Sequence, residues 1–280
     1  MDKIAIVSDS TSDLSWDTIK RHNIKVLPLR IIYKDREYRD RVDITPEEIY
    51  LRFKEEIPTT SLPSPQDTMD LFNELKEEGY THVIVVTISS GISGTMNMIR
   101  NISDSFEGLS FDIIDSKSLS MGTGYAIIEG AKELERTCDF RKTAERIKAV
   151  LNNTKVYYVV KTLEYLRKGG RIGKVEGTIG ELLNIKPIIS INEDGVYFSY
   201  KKVRGRSRSI EELFEIVKEE AKEKLLNIAV AHGDAFEEAQ DLLKKLKGLK
   251  NVKETVFTQI SPVLVVHTGP GLIGVIVSEA

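Results

Sequence analysis

The chain has 280 residues, enough for two α/β units, and its 43 acidic and 40 basic residues leave a formal net charge of −3. That balance excludes a globally basic nucleic-acid binder. The single cysteine, Cys138, excludes an intramolecular disulfide and a cysteine-built metal centre, and reads as a small half-buried filler. No apolar run approaches the roughly 18 residues of a spanning helix, and Met1-Asp2-Lys3 passes straight into an apolar strand without a secretory signal, so a cytoplasmic protein is expected.

In chain order, strands are predicted over residues 4–7, 25–33, 83–88 and 111–114, with helices between them. Thr45-Pro46-Glu47-Glu48 carries a cap, a first-turn proline and a glutamate at the third position, and Ser64-Pro65-Gln66-Asp67 repeats the pattern. Helix alternating with buried strand argues for a mostly parallel sheet covered on both faces. At Asn152-Asn153-Thr154 the pattern resets. Further strands are predicted over residues 156–160, 188–191, 197–202, 228–232, 252–259 and 274–277, with Asp194-Gly195 as a hairpin turn that makes part of this sheet antiparallel. A helix is expected to start at Ser209-Ile210-Glu211-Glu212, and another over residues 235–247. The reading is therefore α/β with an N-terminal unit of residues 1–154, carrying the polar loops, and a C-terminal mixed α/β unit of residues 155–280.

Ligands of an open parallel sheet bind outside the carboxyl ends of its strands. Those ends here are rich in hydroxyls: Ser8-Asp9-Ser10-Thr11-Ser12-Asp13, Ser89-Ser90-Gly91-Ile92-Ser93-Gly94-Thr95, and Asp115-Ser116-Lys117-Ser118-Leu119-Ser120 with Gly122-Thr123-Gly124. Pro58-Thr59-Thr60-Ser61-Leu62-Pro63 is placed to overhang the same edge. A helix opening after residue 94 would offer backbone N–H groups to an anion, whether phosphate, reacting oxyanion or carboxylate.

Gly91-Ile92-Ser93-Gly94-Thr95 is one glycine short of a nucleophile elbow, which leaves an esterase or thioesterase using Ser93 with His267 or His232 as an alternative. Gly269-Pro270-Gly271-Leu272-Ile273-Gly274 mimics a dinucleotide fingerprint without room for its helix, and Gly170-Arg171-Ile172-Gly173-Lys174-Val175 lacks the hydroxyl of a P-loop. The four histidines are scattered, without metal-ligand spacing. Lys201-Lys202-Val203-Arg204-Gly205-Arg206-Ser207-Arg208 is a basic run without interleaved aromatics, read as a solvated strand end or a partner-docking surface and not as a nucleic-acid site. Residues 161–172 form a short amphipathic helix closed by Gly169.

Five segments in this order resemble the DegV family of bacterial fatty-acid-binding proteins. They are Ser8-Asp9-Ser10-Thr11, the run from Pro58 to Ser64, the run from Ser89 to Thr95, Leu163-Glu164-Tyr165-Leu166 with Gly169-Gly170-Arg171-Ile172, and His267-Thr268-Gly269-Pro270-Gly271. The resemblance implies a non-catalytic protein without cofactor, holding one long-chain fatty acid between two α/β domains. Its carboxylate would lie on Thr60 and Ser93 with His267 nearby, supported by Ser61, Gly94 and Thr95. It further implies service to an ATP-dependent fatty-acid kinase subunit in phospholipid metabolism, with Arg171, Arg204 and Arg206 as docking candidates. A lipid-sensing regulatory module is the other alternative. The chain departs from the family at Leu62 and at Met96-Asn97-Met98, where the methionines are expected to reshape the acyl tunnel.

Overall fold

A computed structural model describes residues 2–178 and 185–280. Its first half runs β1 (Ile4–Asp9), α1 (Trp16–Arg21), β2 (Lys25–Leu27), β3 (Arg30–Ile32), β4 (Glu37–Arg39), α2 (Pro46–Arg52), β5 (Thr59–Ser61), α3 (Pro65–Glu77), β6 (His82–Thr87), α4 (Thr95–Ser103), β7 (Ser110–Asp115), α5 (Met121–Thr137) and α6 (Phe140–Asn152). The second runs β8 (Thr154–Val159), α7 (Glu164–Lys168), β9 (Ile188–Ile191), β10 (Tyr197–Lys201), α8 (Arg206–Glu220), β11 (Leu226–Gly233), α9 (Phe236–Lys247), β12 (Val252–Gln259), α10 (Pro262–Thr268) and β13 (Leu272–Glu279).

Strands β2-β1-β6-β7 form a parallel sheet in that order. Its side chains alternate as the period-2 pleat requires. Ala5, Val7, Val83 and Val85 join Phe72 of α3 and Ile99 of α4, while Ile6, Ile84 and Val86 join Tyr125 and Ile127 of α5 on the opposite face. Both faces are thereby covered, which is why these strands read as unbroken apolar runs. The chain leaves β1 toward β2 on one side and β6 toward β7 on the other. The carboxyl ends of β1 and β6 are therefore the switch point at which open α/β sheets bind ligands.

The second sheet has six strands in the order β10-β9-β8-β13-β11-β12, with only β11 and β12 parallel. The predicted Asp194-Gly195 turn joins the antiparallel pair β9–β10, and Gly195 takes φ +76°, which glycine adopts at little cost. Tyr157, Val159, Ile228 and Val230 face α8 and α9, while Val156, Tyr158, Ala229 and Ile276 face α5. Helix α5 packs on β1 and β6 of the first sheet and on β8 and β13 of the second. It is a shared middle layer, and the largest apolar core runs through it without a break.

Three sequence expectations change. The strand expected over residues 25–33 is split: β2 ends at Leu27, and β3 starts at Arg30 in a separate antiparallel sheet, β4-β3-β5. Pro28 between them has no N–H to donate to a ladder. Helix α8 begins at Arg206 behind Gly205, so Ser209 does not cap it; Ser209 Oγ donates back to Gly205 O at 2.9 Å and to Lys186 O at 3.0 Å. Cys138 is exposed, in the left-handed conformation that ends α5. The capping box at Thr45 forms as expected, with Glu48 N to Thr45 Oγ1 at 3.3 Å and Thr45 N to Glu48 Oε2 at 2.7 Å.

Candidate functional site

At the β1/β6 switch point lies a cavity of about 220 Å³. Thr11 follows β1; Ile88, Ile92 and Ser93 follow β6; Thr60 and Ser61 come from β5; and Val263, Leu264, His267 and Thr268 come from α10. Three of the four hydroxyl-rich loops thus meet at one place. The fourth turns inward: Ser120 Oγ donates to Asp13, Thr123 Oγ1 pairs with Ser116 Oγ at 3.0 Å, and Leu119 and Ser120 line a smaller apolar cavity of about 30 Å³. That second cavity, walled by Val156, Tyr158, Ala231 and Ile276, shares Tyr197, Leu264 and Thr268 with the first.

Three backbone devices hold the polar end. Buried Asp9 accepts Thr11 N at 3.0 Å, Thr11 Oγ1 at 2.6 Å and, across the two strand ends, Ile88 N at 2.6 Å. The Ser89–Thr95 loop is tied to the β9–β10 turn by Ser89 Oγ to Gly195 O at 2.7 Å; a Cβ on Gly91 would stand 2.7 Å from that same oxygen, so only glycine fits there. Helix α10 is capped from the N-terminal half, with Ser261 N donating to Asp13 Oδ1 at 2.8 Å and Val263 N to Asp40 Oδ1 at 2.9 Å. Capping α10 at this end delivers His267, near its other end, onto β5.

There His267 Nε2 lies 2.7 Å from Thr60 Oγ1. Burial, with Arg171 adding its charge, lowers His267 to about 4, so the ring is neutral at ordinary pH. Among the described residues its Nδ1 has no hydrogen-bond partner, and it packs on Gly169, where an added Cβ would come within 2.2 Å. Gly169→Ala should therefore push the ring off Thr60 and weaken ligand binding about tenfold, read by titration calorimetry, with the fold unchanged by circular dichroism. Parent-like affinity would show that the Thr60–His267 contact is irrelevant to binding.

Ser93 Oγ pairs with Thr95 Oγ1 at 2.8 Å and accepts Thr95 N at 3.3 Å, with no side chain capping α4 at Gly94. Among the described residues Ser93 and His267 make no hydrogen bond to each other, and His232 lies elsewhere, stacked on Phe257. The nucleophile–base contact of a serine hydrolase is not formed.

The structure brings Thr60, Ser61, Ser93 and His267 onto one cavity, with Thr95 supporting Ser93 from behind and Gly94 opening the helix. Arg171, expected at a docking surface, instead lines the cavity. Its Nη1 donates to Gly169 O at 2.7 Å and its Nε reaches Ile92 O at 3.4 Å, and among the described residues no carboxylate pairs with it. Its lone cationic charge, beside a neutral histidine and hydroxyls, gives the cavity a positive end. The helix-closing context in the sequence masked this role. Arg206 is held by Glu238 at 2.7 Å, which leaves Arg204 as the exposed member of the pair. Neither Met96 nor Met98 lines either of these two cavities; Met98 packs on the Phe72 core across the sheet, and Leu62 is the departure that lines the larger one.

Fold and site define an α/β protein of two large sheets and one small one, whose cavity joins a hydroxyl- and arginine-lined end to apolar walls. The family model described as "Uncharacterised protein, DegV family" matches residues 3–280, and the chain belongs to that family. A DegV domain-containing protein of Clostridium acetobutylicum is 49% identical over 277 residues, covering 99% of each chain. Another from Streptococcus pneumoniae is 31% identical over 273 residues, 97% of each. Among solved structures, a fatty-acid-binding DegV family protein of Thermus thermophilus matches with TM-score 0.92 at 29% identity, over 99% of this chain and 100% of its own. DegV of Bacillus subtilis, a fatty acid binding protein, gives TM-score 0.92 at 26% identity over 100% of both chains. A stearic acid-binding protein of Eubacterium ventriosum gives 0.89 at 28%, over 99% of this chain and 98% of its own. Among the described residues no helix is long and apolar enough to cross a membrane, and no cluster of three or more His, Cys, Asp or Glu could hold a metal.

Proposed function

We propose that the chain binds one long-chain fatty acid in this cavity and does no chemistry on it. The observation that carries the reading is the convergence of Thr60, Ser93, His267 and the unpaired Arg171 on one cavity that shares walls with an apolar cleft. A carboxylate leaving water needs several hydrogen bonds or a countercharge, and this end offers both. The tautomer follows from the contacts. With Nδ1 lacking an acceptor among the described residues, the proton belongs on Nε2, which donates to Thr60 Oγ1 and frees the Thr60 hydroxyl to donate to the carboxylate. His267 then acts as a positioning residue for Thr60. The tail would extend between Tyr158, Tyr197 and Leu264 toward Ile276, with neighbouring side chains repacking, because the combined volume is below that of most ligand pockets, which start at about 300 Å³.

The residues around 154 divide the chain by sheet membership: residues 1–154 supply the head-group loops and residues 155–280 close over the ligand. The finer role we infer is presentation of the carboxylate to a separate ATP-dependent kinase subunit, in a bacterial cytoplasm, with exposed Arg204 as the docking residue. The absence of a P-loop from the sequence is in keeping with phosphoryl transfer by a partner. Natively purified protein, extracted with organic solvent, is expected to release a long-chain fatty acid by mass spectrometry in near-stoichiometric amount. Mixed with ATP and the kinase subunit of the same cell, it should yield acyl phosphate. Protein that is reproducibly empty and takes up no labelled fatty acid would overturn the binding role; binding without acyl phosphate would overturn the kinase role alone.

A further inference from the structure

A further cavity, about 440 Å³, opens at the carboxyl ends of β11 and β12, the parallel pair joined through α9. This is again the edge at which parallel strands offer ligand space, and the fatty-acid reading makes no use of it. Its walls include Tyr50 of α2, His232 at the end of β11 and Phe236 at the start of α9, and its rim carries Glu47, Asp234 and Glu237. The rings of His232 and Phe236 stand at 87° with centroids 5.6 Å apart, and both rest on Phe257, at 5.0 and 5.5 Å. They form a two-walled aromatic corner rather than a stack. Phe236 is 49% exposed, a large ring left uncovered at the cavity mouth.

The charges are one-sided. Glu238 is held by Arg206, and Glu47 accepts Gln259 Nε2 at 2.7 Å. Among the described residues Asp234 and Glu237 have no ion pair, and no lysine or arginine lines the cavity. The second observation comes from His232, only 6% exposed, whose Nδ1 has no hydrogen-bond partner among the described residues although the residue lines this space. Burial holds this imidazole below its ordinary value, so it adds no positive charge of its own. An aromatic corner with an acidic rim, free of competing cations, is the chemistry that recognises an alkylated ammonium ion: ring faces attract the cation and carboxylates supply the countercharge. An anion would meet the rim carboxylates, and an uncharged apolar group would gain nothing from them.

We propose that the Tyr50–His232–Phe236 cavity binds a small organic ammonium ion, independently of the fatty-acid site. Full-length protein is titrated with choline and, separately, with its uncharged isostere 3,3-dimethylbutan-1-ol, followed by calorimetry and by NMR of the histidine ring protons. Saturable choline binding that shifts the His232 signals is expected, with the isostere at least about tenfold weaker. Phe236→Ala removes one wall at an exposed position. Asp234→Asn removes a rim charge and suits the left-handed backbone there, at φ +51°. Each should weaken choline about fivefold or more while fatty-acid content on purification stays at the parent level. Absence of saturable choline binding, equal binding of the isostere, or indifference to both substitutions would each overturn the proposal.

Discussion

Thr60→Val and Ser93→Ala in one chain should lower long-chain fatty-acid affinity by about a hundredfold or more, measured by displacement of a fluorescent acyl probe. A hydrogen bond to a charged group contributes about 1.5–3 kcal/mol, and a tenfold change in affinity corresponds to about 1.4 kcal/mol. Two lost donors therefore reach about that ratio, because a carboxylate taken from bulk water needs those hydrogen bonds. The fold should survive. Valine keeps the shape of Thr60 and its place opposite Ile31 in the small sheet, and among the described residues the Ser93 hydroxyl bonds only to Thr95 beneath it. A loss of roughly 1–2 kcal/mol in stability is expected from the unpaired His267 Nε2 and the weakened start of α4. Affinity within about threefold of the parent would remove both hydroxyls from the head-group site.

Stability should decline between about pH 4 and pH 7 through the two carboxylates that cap α10. Burial pushes Asp13 up to about 6 and Asp40 up to about 7, from 3.8 for an ordinary aspartate. Arg41 opposes the shift at both, and Asp13 adds repulsion at Asp40. In this window the folded chain keeps protons that the unfolded chain has released, so the contribution is complete below about pH 4 and lost as pH rises through 6–7. His267 works the other way: lowered to about 4, its contribution is present above 6.5 and lost as pH falls. Comparing the parent with Asp40→Asn separates the two. The amide keeps an acceptor for Val263 N and cannot ionise, so the parent's advantage over the variant should shrink with rising pH. The expected change is on the order of 2–4 kcal/mol, at about 1.4 kcal/mol per tenfold change in ionisation. Urea unfolding at several pH values measures it, and a parent–variant difference independent of pH would contradict the upward shift that burial gives Asp40.

Much of this was legible in the chain because local and tertiary signals agreed. β9 and β12 fall on their predicted bounds, since an alternating or apolar run bounded by turn residues leaves little freedom. What failed to show was structure that only long-range contacts create. Helix α10 has seven residues, the first five apolar and three of those valine, so it carries no amphipathic period and a poor helix propensity. It exists because Asp13 and Asp40, more than 200 residues away in sequence, supply its caps. The small sheet β4-β3-β5 has three-residue strands, too short for a periodic signal. Thr60 and His267 were nameable from their motifs, but the contact between them depends on both of these unseen elements. Arg171 was visible as a residue and not as a cavity wall, because its position follows from how α7 ends against His267 and Ile92.

The middle layer formed by α5 bears on how a ligand would come and go. A protein whose halves closed like a book would need separate cores, and here one core passes through both sheets. Opening along that plane would expose apolar surface at about 25 cal/mol for every Å², so the wide swing is the expensive route. The lighter route runs through β5, a three-residue edge strand beside the cavity whose side chains are exposed or half-buried. Residence time is then a property of a local latch, separate from equilibrium affinity, and two chains with equal affinity for the same acyl group can release it on very different clocks.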